Sequence, residues 1–210
     1  MNLNFSVLLS IYKKENPVFL NEALQSILDK QIIKPNEIII VKDGLLTHSL
    51  DLILKDFSTK YSDIVKICGY EKNRGLGYAL NYGLKLCSNE LIFRMDADDI
   101  SIAKRFKLQL DFMSKNSEIS ILGSTIEEFN DIPHDLKRFR KVPKSSIEID
   151  KNKLNRNPFN HMTVCFKKSH ILKVGGYSHM PGYEDYYLWL RVLNFYKGHN
   201  LDKPLVYARV

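Results

Sequence analysis

Long apolar runs are missing from this 210-residue chain. None approaches the ~18–20 residues that a bilayer crossing needs, so no membrane-spanning helix is expected. Cysteine is scarce. Cys68, Cys87 and Cys165 are odd in number, far apart and flanked by apolar residues, which argues against a disulfide framework or a thiolate metal site and predicts reduced core residues of a cytosolic protein. The opening Met1-Asn2-Leu3-Asn4-Phe5 has no basic n-region and no small-residue cleavage site, so no secretory leader is expected. No period recurs, which excludes a repeat array. HExxH, a Walker A loop and a Ser/His/Asp spacing are all absent. Gly75-Leu-Gly77 begins a dinucleotide fingerprint, but its third glycine position is Leu80 and the loop lies several residues after its strand, which argues against hydride transfer.

What is present is an ordinary globular composition, 44% hydrophobic and 26% charged, enough to exclude disorder and to build one domain over residues 1–210. The net charge is +7, and it is concentrated. Between Lys137 and Arg156 eight basic residues face two acidic ones, Glu148 and Asp150, a local net of +6. Such a cluster attracts phosphates or anionic lipid, or is a solvated loop. With Phe139 as its one aromatic it lacks the stacking platform of a single-strand binder, and no nucleic-acid partner is expected.

Hydrophobic patterning predicts strands at 5–11, 37–41, 64–68 and 90–95 and helices at 19–28, 50–57 and 76–86. Strands and helices alternating in this way imply βαβ units: an α/β fold with a mainly parallel sheet. The second half is less regular, with helices at 102–113, 169–174 and 184–193, strands at 119–122 and 162–166, and a final strand beginning near Asp202 that the chain end interrupts. Ligands of parallel sheets bind beyond the carboxyl ends of the strands. Three strands end there in polar residues: Ser10 with Tyr12, then Asp43, then Asp96-Ala-Asp-Asp99.

Carboxylates crowded at the end of an apolar strand are costly unless a cation compensates them, and hard divalent cations take oxygen ligands. Alternation in an extended segment points Asp96 and Asp98 the same way, toward substrate and metal. Asp99 or Ser101 is expected to cap the next helix. Gly75 and Gly77 are expected to form a turn bringing Asn73 and Arg74 toward a phosphate or base. Glu184 and Asp185 open a helix, where they are either dipole-stabilised caps or a general base. His161 is either a substrate contact or a satisfied core histidine.

Taken together, Ser6-Val-Leu-Leu-Ser-Ile-Tyr12, Pro35 to Gly44, Asn73-Arg-Gly-Leu-Gly-Tyr-Ala-Leu-Asn81, Arg94-Met-Asp-Ala-Asp-Asp-Ile100, Gly175-Gly-Tyr177 and Tyr183 to Arg191 resemble, in this order, the bacterial family 2 glycosyltransferases of exopolysaccharide, capsule and O-antigen assembly, of the amylovoran biosynthesis type. The resemblance implies the GT-A nucleotide-diphospho-sugar transferase fold, a Rossmann-like, mostly parallel central sheet flanked by helices. Residues 1–100 would form the nucleotide-sugar half and 101–210 the acceptor half. It also implies that the family's chains continue past Val210. Tyr12 would stack on the base beside Ser10, Asp43 would accept from the base and Arg74 would help hold it. Asp96 would contact ribose or metal, and Asp98 would ligate Mn²⁺ or Mg²⁺. Asp185 would be the catalytic base, with Glu184 shaping the acceptor site.

The implied activity is metal-dependent, inverting transfer from a nucleotide-sugar, with uridine the expected base. The acceptor would be a saccharide or a lipid-diphosphate-linked one at the inner face of the plasma membrane. Lys42 stands where many relatives have a second aspartate before Asp43. The alternatives are a nucleotidyltransferase, which should carry a glycine-rich loop where this chain has Ser10-Ile-Tyr-Lys-Lys-Glu15, and a non-catalytic nucleotide-sugar-binding protein.

Overall fold

The computed structural model describes residues 3–210; Met1 and Asn2, with that part of the leader reading, lie outside the described residues. Four parallel strands form first: β1 (Phe5–Ile11), β2 (Glu37–Asp43), β3 (Val65–Tyr70) and β4 (Leu91–Met95), ordered β3-β2-β1-β4. The intervening helices are α1 (Pro17–Ile27), α2 (His48–Lys60) and α3 (Leu76–Leu86). Their starts follow local chemistry. The Asn16 side chain accepts the Val18 amide (2.8 Å) with Pro17 in the first turn, and Thr47 caps α2. Gly75, at φ 89°, sets the entry to α3 in a conformation that L side chains avoid.

The second half adds short β5 (Ile100–Ser101), α4 (Arg105–Lys115), β6 (Ile119–Phe129), β7 (Arg138–Arg140), α5 (Ser146–Asn152), β8 (Cys165–Lys167), α6 (Lys168–Lys173), α7 (Glu184–Val192) and β9 (Lys197–Arg209). The sheet continues from β4 through antiparallel β8 to β6, then to β9 parallel to β6, and ends at β5. Helices cover both faces. One core packs α1, α2 and α4 against Val7, Leu9, Ile38, Ile40, Phe93 and Met95. The other packs α3, α6 and α7 against Leu8, Ile39, Val41, Ile92 and Phe166, with Trp189 at its centre.

Four sequence expectations need correction. β6 runs past Gly123 to Phe129, beyond the strand expected at 119–122, because β9 pairs with it throughout and buries Ser124, Thr125 and Glu127. A Cβ at Gly123 would sit 2.3 Å from Asn200 Oδ1. The strand predicted at 162–166 is shorter, because His161–Thr163 forms a 3-10 turn in which Thr163 Oγ1 donates to the Asn160 carbonyl (2.7 Å). The basic stretch is not one loop: it holds β7 and α5, the latter opened by a Ser145–Glu148 capping box, and Glu128 of β6 pairs with Arg138 and Arg140. Neither Asp99 nor Ser101 caps α4, whose start at Lys104 has no side-chain cap. The Ser101 hydroxyl accepts from Gln31 Nε2 (3.1 Å), and Asp99 is drawn inward by β9.

Candidate active site

β1 lies between β2 and β4, and the chain crosses to opposite sides of it, so a crevice opens at the carboxyl ends of these strands. The cleft there has a volume of about 510 Å³. The structure brings Ser10, Tyr12, Asp43, Asp96 and Asp98 to its lining. Asn73, expected from the 75–77 turn, lines it too, as do Glu15, Asp99, Met162 and Arg209, none singled out as a donor contact from the sequence.

Asp43 is almost fully buried and its carboxylate collects four donors. Tyr70 Oη (2.8 Å) and the Arg74 amide (2.7 Å) reach Oδ1; Asn73 Nδ2 (2.9 Å) and the Gly75 amide (3.0 Å) reach Oδ2. It thereby pins the 73–75 turn to the end of β2. Gly44 permits this close approach, since a Cβ there would meet the Asn73 amide at 2.8 Å. The Arg74 side chain leaves the cleft: its guanidinium stacks 3.4 Å above the Tyr78 ring and lines a neighbouring 370 Å³ pocket with Asn81, Tyr177 and His179.

At the end of β4 the buried Arg94 guanidinium forms an ion pair with Asp96. Asp98 and Asp99 follow, and burial together with neighbouring carboxylates raises both pKa values, that of Asp99 well above the ordinary range. Burial, then Asp98 and Asp96, push Glu15 up to about 7 against the lowering effect of Arg94. Asp99 Oδ1 accepts the Arg209 amide (2.9 Å), while its buried Oδ2 has no hydrogen-bond partner. The Arg209 guanidinium lies 3.7 Å from the Phe19 ring centre and 4.4 Å from that of Phe129. It donates to the Asp98 carbonyl (3.2 Å) and to Glu22 (2.7 Å). Sequence patterning shows an arginine at a strand end; only the pairing of β9 with β6 and β5 delivers it here.

Asp185 and Glu184 lie in the first turn of α7 and do not line the cleft. Asp185 Oδ2 accepts from Asn157 Nδ2 (2.6 Å), and Glu184 packs beside Gly77, where its Cγ would lie 3.1 Å from an added Cβ. Tyr177 connects the two regions. Burial raises its hydroxyl pKa against Arg94, and both Asp185 and Asp96 add to the rise. His161 is half-buried, bonds Tyr177 Oη through Nε2 (3.1 Å) and meets Trp189 edge-on at 5.9 Å. Burial and Arg94 hold it well below the usual histidine range, so it is neutral at pH 7.

The family model described as "Glycosyl transferase family 2" matches residues 6–173. The chain belongs to glycosyl transferase family 2. The UDP-Gal:alpha-D-GlcNAc-diphosphoundecaprenol beta-1,3-galactosyltransferase of Escherichia coli is 48% identical over 206 residues, 98% of this chain and 74% of that protein. The amylovoran biosynthesis glycosyltransferase AmsE of Erwinia amylovora is 39% identical over 210 residues, 98% and 76% of the two chains. Among solved structures, S. aureus TarS 1-349 in complex with UDP-GlcNAc matches with a TM-score of 0.75 at 20% identity, covering 99% of this chain and 59% of that one. The mannosyltransferase PcManGT from Pyrobaculum calidifontis, in complex with GDP-Man and Mn²⁺, matches at 0.72 and 15%, covering 95% and 55%. The glycosyltransferase therefore has the expected GT-A fold.

Among the described residues no three His, Cys, Asp or Glu side chains are gathered as a ready-made metal cage. A divalent cation that arrives with phosphates needs only one or two carboxylates from the protein. The acidic cleft, only partly offset by Arg94 and Arg209, with raised pKa values at Glu15, Asp98 and Asp99 and an unpartnered Asp99 oxygen, fits such a cation.

Proposed function

We propose that this glycosyltransferase moves a sugar from a UDP-sugar to a lipid-diphosphate-linked saccharide during surface-polysaccharide assembly, with inversion at the anomeric carbon. The acidic cleft at the ends of β1, β2 and β4 carries the donor half of this reading. Its acceptor half rests on the likeness to the E. coli galactosyltransferase, whose acceptor is a GlcNAc-diphosphoundecaprenol, and to AmsE. Tyr12, at the exit of β1, offers a ring to the base beside Ser10. The turn pinned by Asp43 presents Asn73. Asp96, held by Arg94, would face the ribose, and Asp98 would hold Mn²⁺ or Mg²⁺. When bound, that metal offsets the charge that develops on the departing diphosphate.

Asp185 is the base. Asn157 occupies Oδ2 and fixes the plane of the carboxylate, leaving the second oxygen to receive a proton. The acceptor hydroxyl loses that proton as its oxygen bonds to the anomeric carbon. The bond from that carbon to the diphosphate oxygen breaks on the opposite face, so one displacement inverts the centre and releases UDP. Glu184, wedged against α3, shapes the acceptor side.

Replacing Asp185 with Asn is expected to lower transfer at least ~10²-fold while leaving calorimetric UDP-sugar affinity within about twofold. Asp98→Ala is expected to lose the increment in donor affinity that Mn²⁺ provides. Undiminished transfer in Asp185→Asn would refute the base assignment, and an unchanged Mn²⁺ increment in Asp98→Ala would refute the metal ligand.

A further inference from the structure

Leu154, Phe195 and Ile147 are the three most exposed large apolar side chains among the described residues, at 78%, 76% and 70%. Ile147 and Leu154 share one helical segment, and Phe195 lies on a second segment joined to it. Ser146 Oγ donates to the Gly198 carbonyl (2.7 Å), and Lys153 Nζ reaches the Leu193 carbonyl (3.5 Å). α5 continues as helical turns through Arg156, so Ile147, Lys151 and Leu154, at i, i+4 and i+7, share one face, opposite the buried Ile149. The same two segments carry the exposed Lys144, Lys151, Arg156 and Lys197. The acids of the stretch are engaged elsewhere: Glu148 caps α5 through the Lys144 amide (2.7 Å), and Asp150 pairs with Lys153 (3.0 Å).

We propose that this face docks on an anionic lipid bilayer, with Ile147, Leu154 and Phe195 entering the headgroup boundary and the basic residues meeting lipid phosphates. Exposed apolar tips on segments rich in exposed basic residues are the composition of an interfacial element, in which apolar burial and charge add. A second copy of the chain is disfavoured, because a two-fold contact would oppose like charges. The face adjoins the catalytic side. Tyr186 Oη donates to the Lys153 carbonyl (2.7 Å), and Asn157, one residue past the basic stretch, bonds Asp185. The inference rests on the lipid-linked acceptor proposed above, since docking here would bring the headgroup plane to the base.

The test is sedimentation of the chain with vesicles of phosphatidylcholine, with and without phosphatidylglycerol, in the absence of donor and acceptor. Binding is expected only with phosphatidylglycerol, weakening ~10-fold or more at high salt. Combining Ile147→Ser, Leu154→Ser and Phe195→Ser keeps every charge and removes only exposed side chains, so the fold should survive, as circular dichroism would verify. Vesicle affinity should drop at least ~10-fold in that variant, while transfer to a water-soluble acceptor stays unchanged. Phe195→Trp should shift to the blue and be quenched by brominated lipid. No binding to phosphatidylglycerol vesicles at low salt overturns the proposal, as does full affinity in the triple-serine variant. A vesicle-indifferent chain that dimerises until those three residues are replaced assigns the face to a second copy instead. Because vesicle binding is read without catalysis, its failure is distinct from failure of the Asp185 test.

Discussion

Asp43 shows how far one residue's role is set by its neighbours. The family resemblance implies that it accepts from the nucleotide base, and the structure fills its oxygens with four protein donors. Asp43→Asn would turn an acceptor oxygen into a donor amide facing those N–H groups. The expected loss is roughly 1–3 kcal/mol of stability with no nucleotide present, measured by urea unfolding, together with weaker UDP affinity through the loosened 73–75 turn. Wild-type stability in the variant would return Asp43 to a pure base contact. Asp96, Asp98 and Asp185 were legible as residue types at strand and helix ends. Glu15, Asn157 and Arg94 were not, since their meaning lies in what they face: Asp98 and Asp96 for Glu15, Asp185 for Asn157 and Asp96 for Arg94.

Between elements, Glu37 is a junction. It opens β2, accepts Ser6 Oγ of β1 (2.6 Å), and takes both the amide (2.8 Å) and hydroxyl (2.7 Å) of Ser88, between α3 and β4. Burial alone would raise its pKa, yet these bonds and Lys66 (2.9 Å) outweigh it and hold the group down at about 2. A carboxyl depressed in the fold stabilises above its unfolded pKa and loses that contribution as pH falls toward the folded value. Glu37→Gln is therefore expected to cost roughly 2–3 kcal/mol at pH 7. The gap to wild type should close between about pH 4.5 and 2 in unfolding titrations. A constant gap across that window would show that the ionised form contributes nothing. At the same scale, the alternating first half was readable because each of its strands is an apolar run bounded by polar residues. β6 was cut short because its later residues are polar groups satisfied by long-range partners, as when Ser124 N donates to Thr163 Oγ1 (3.0 Å).

For the molecule as a whole, Arg209 ties β9 to α1 through Glu22, to the end of β6 through Asn130 and to the acidic turn through Asp98 and Asp99. It lies outside the matched residues 6–173. Arg209→Lys keeps the charge but loses the planar fork that serves several acceptors at once. It is expected to weaken Mn²⁺-dependent UDP-sugar binding several-fold while Mn²⁺-free nucleotide binding stays near wild type. Equal losses with and without metal would make Arg209 a general structural support.

The order of apolar runs, polar strand ends and helix starts in the sequence by itself determined the α/β class, the family, and Asp43, Asp96 and Asp98 as acids of the cleft. These depend on local periodicity and on residues close in the chain. Only the tertiary structure decided that β9 inserts beside β6 and carries Arg209 to the acidic turn, that Asp43 is a latch, and that Asn157 meets Asp185. Each depends on contacts between residues tens to more than a hundred positions apart, which no local pattern encodes. The scarcity of long apolar runs has a counterpart in the structure: among the described residues no helix is long and apolar enough to cross a membrane. The three most exposed large apolar side chains among the described residues, Ile147, Leu154 and Phe195, lie instead on the two joined segments that carry the proposed docking face.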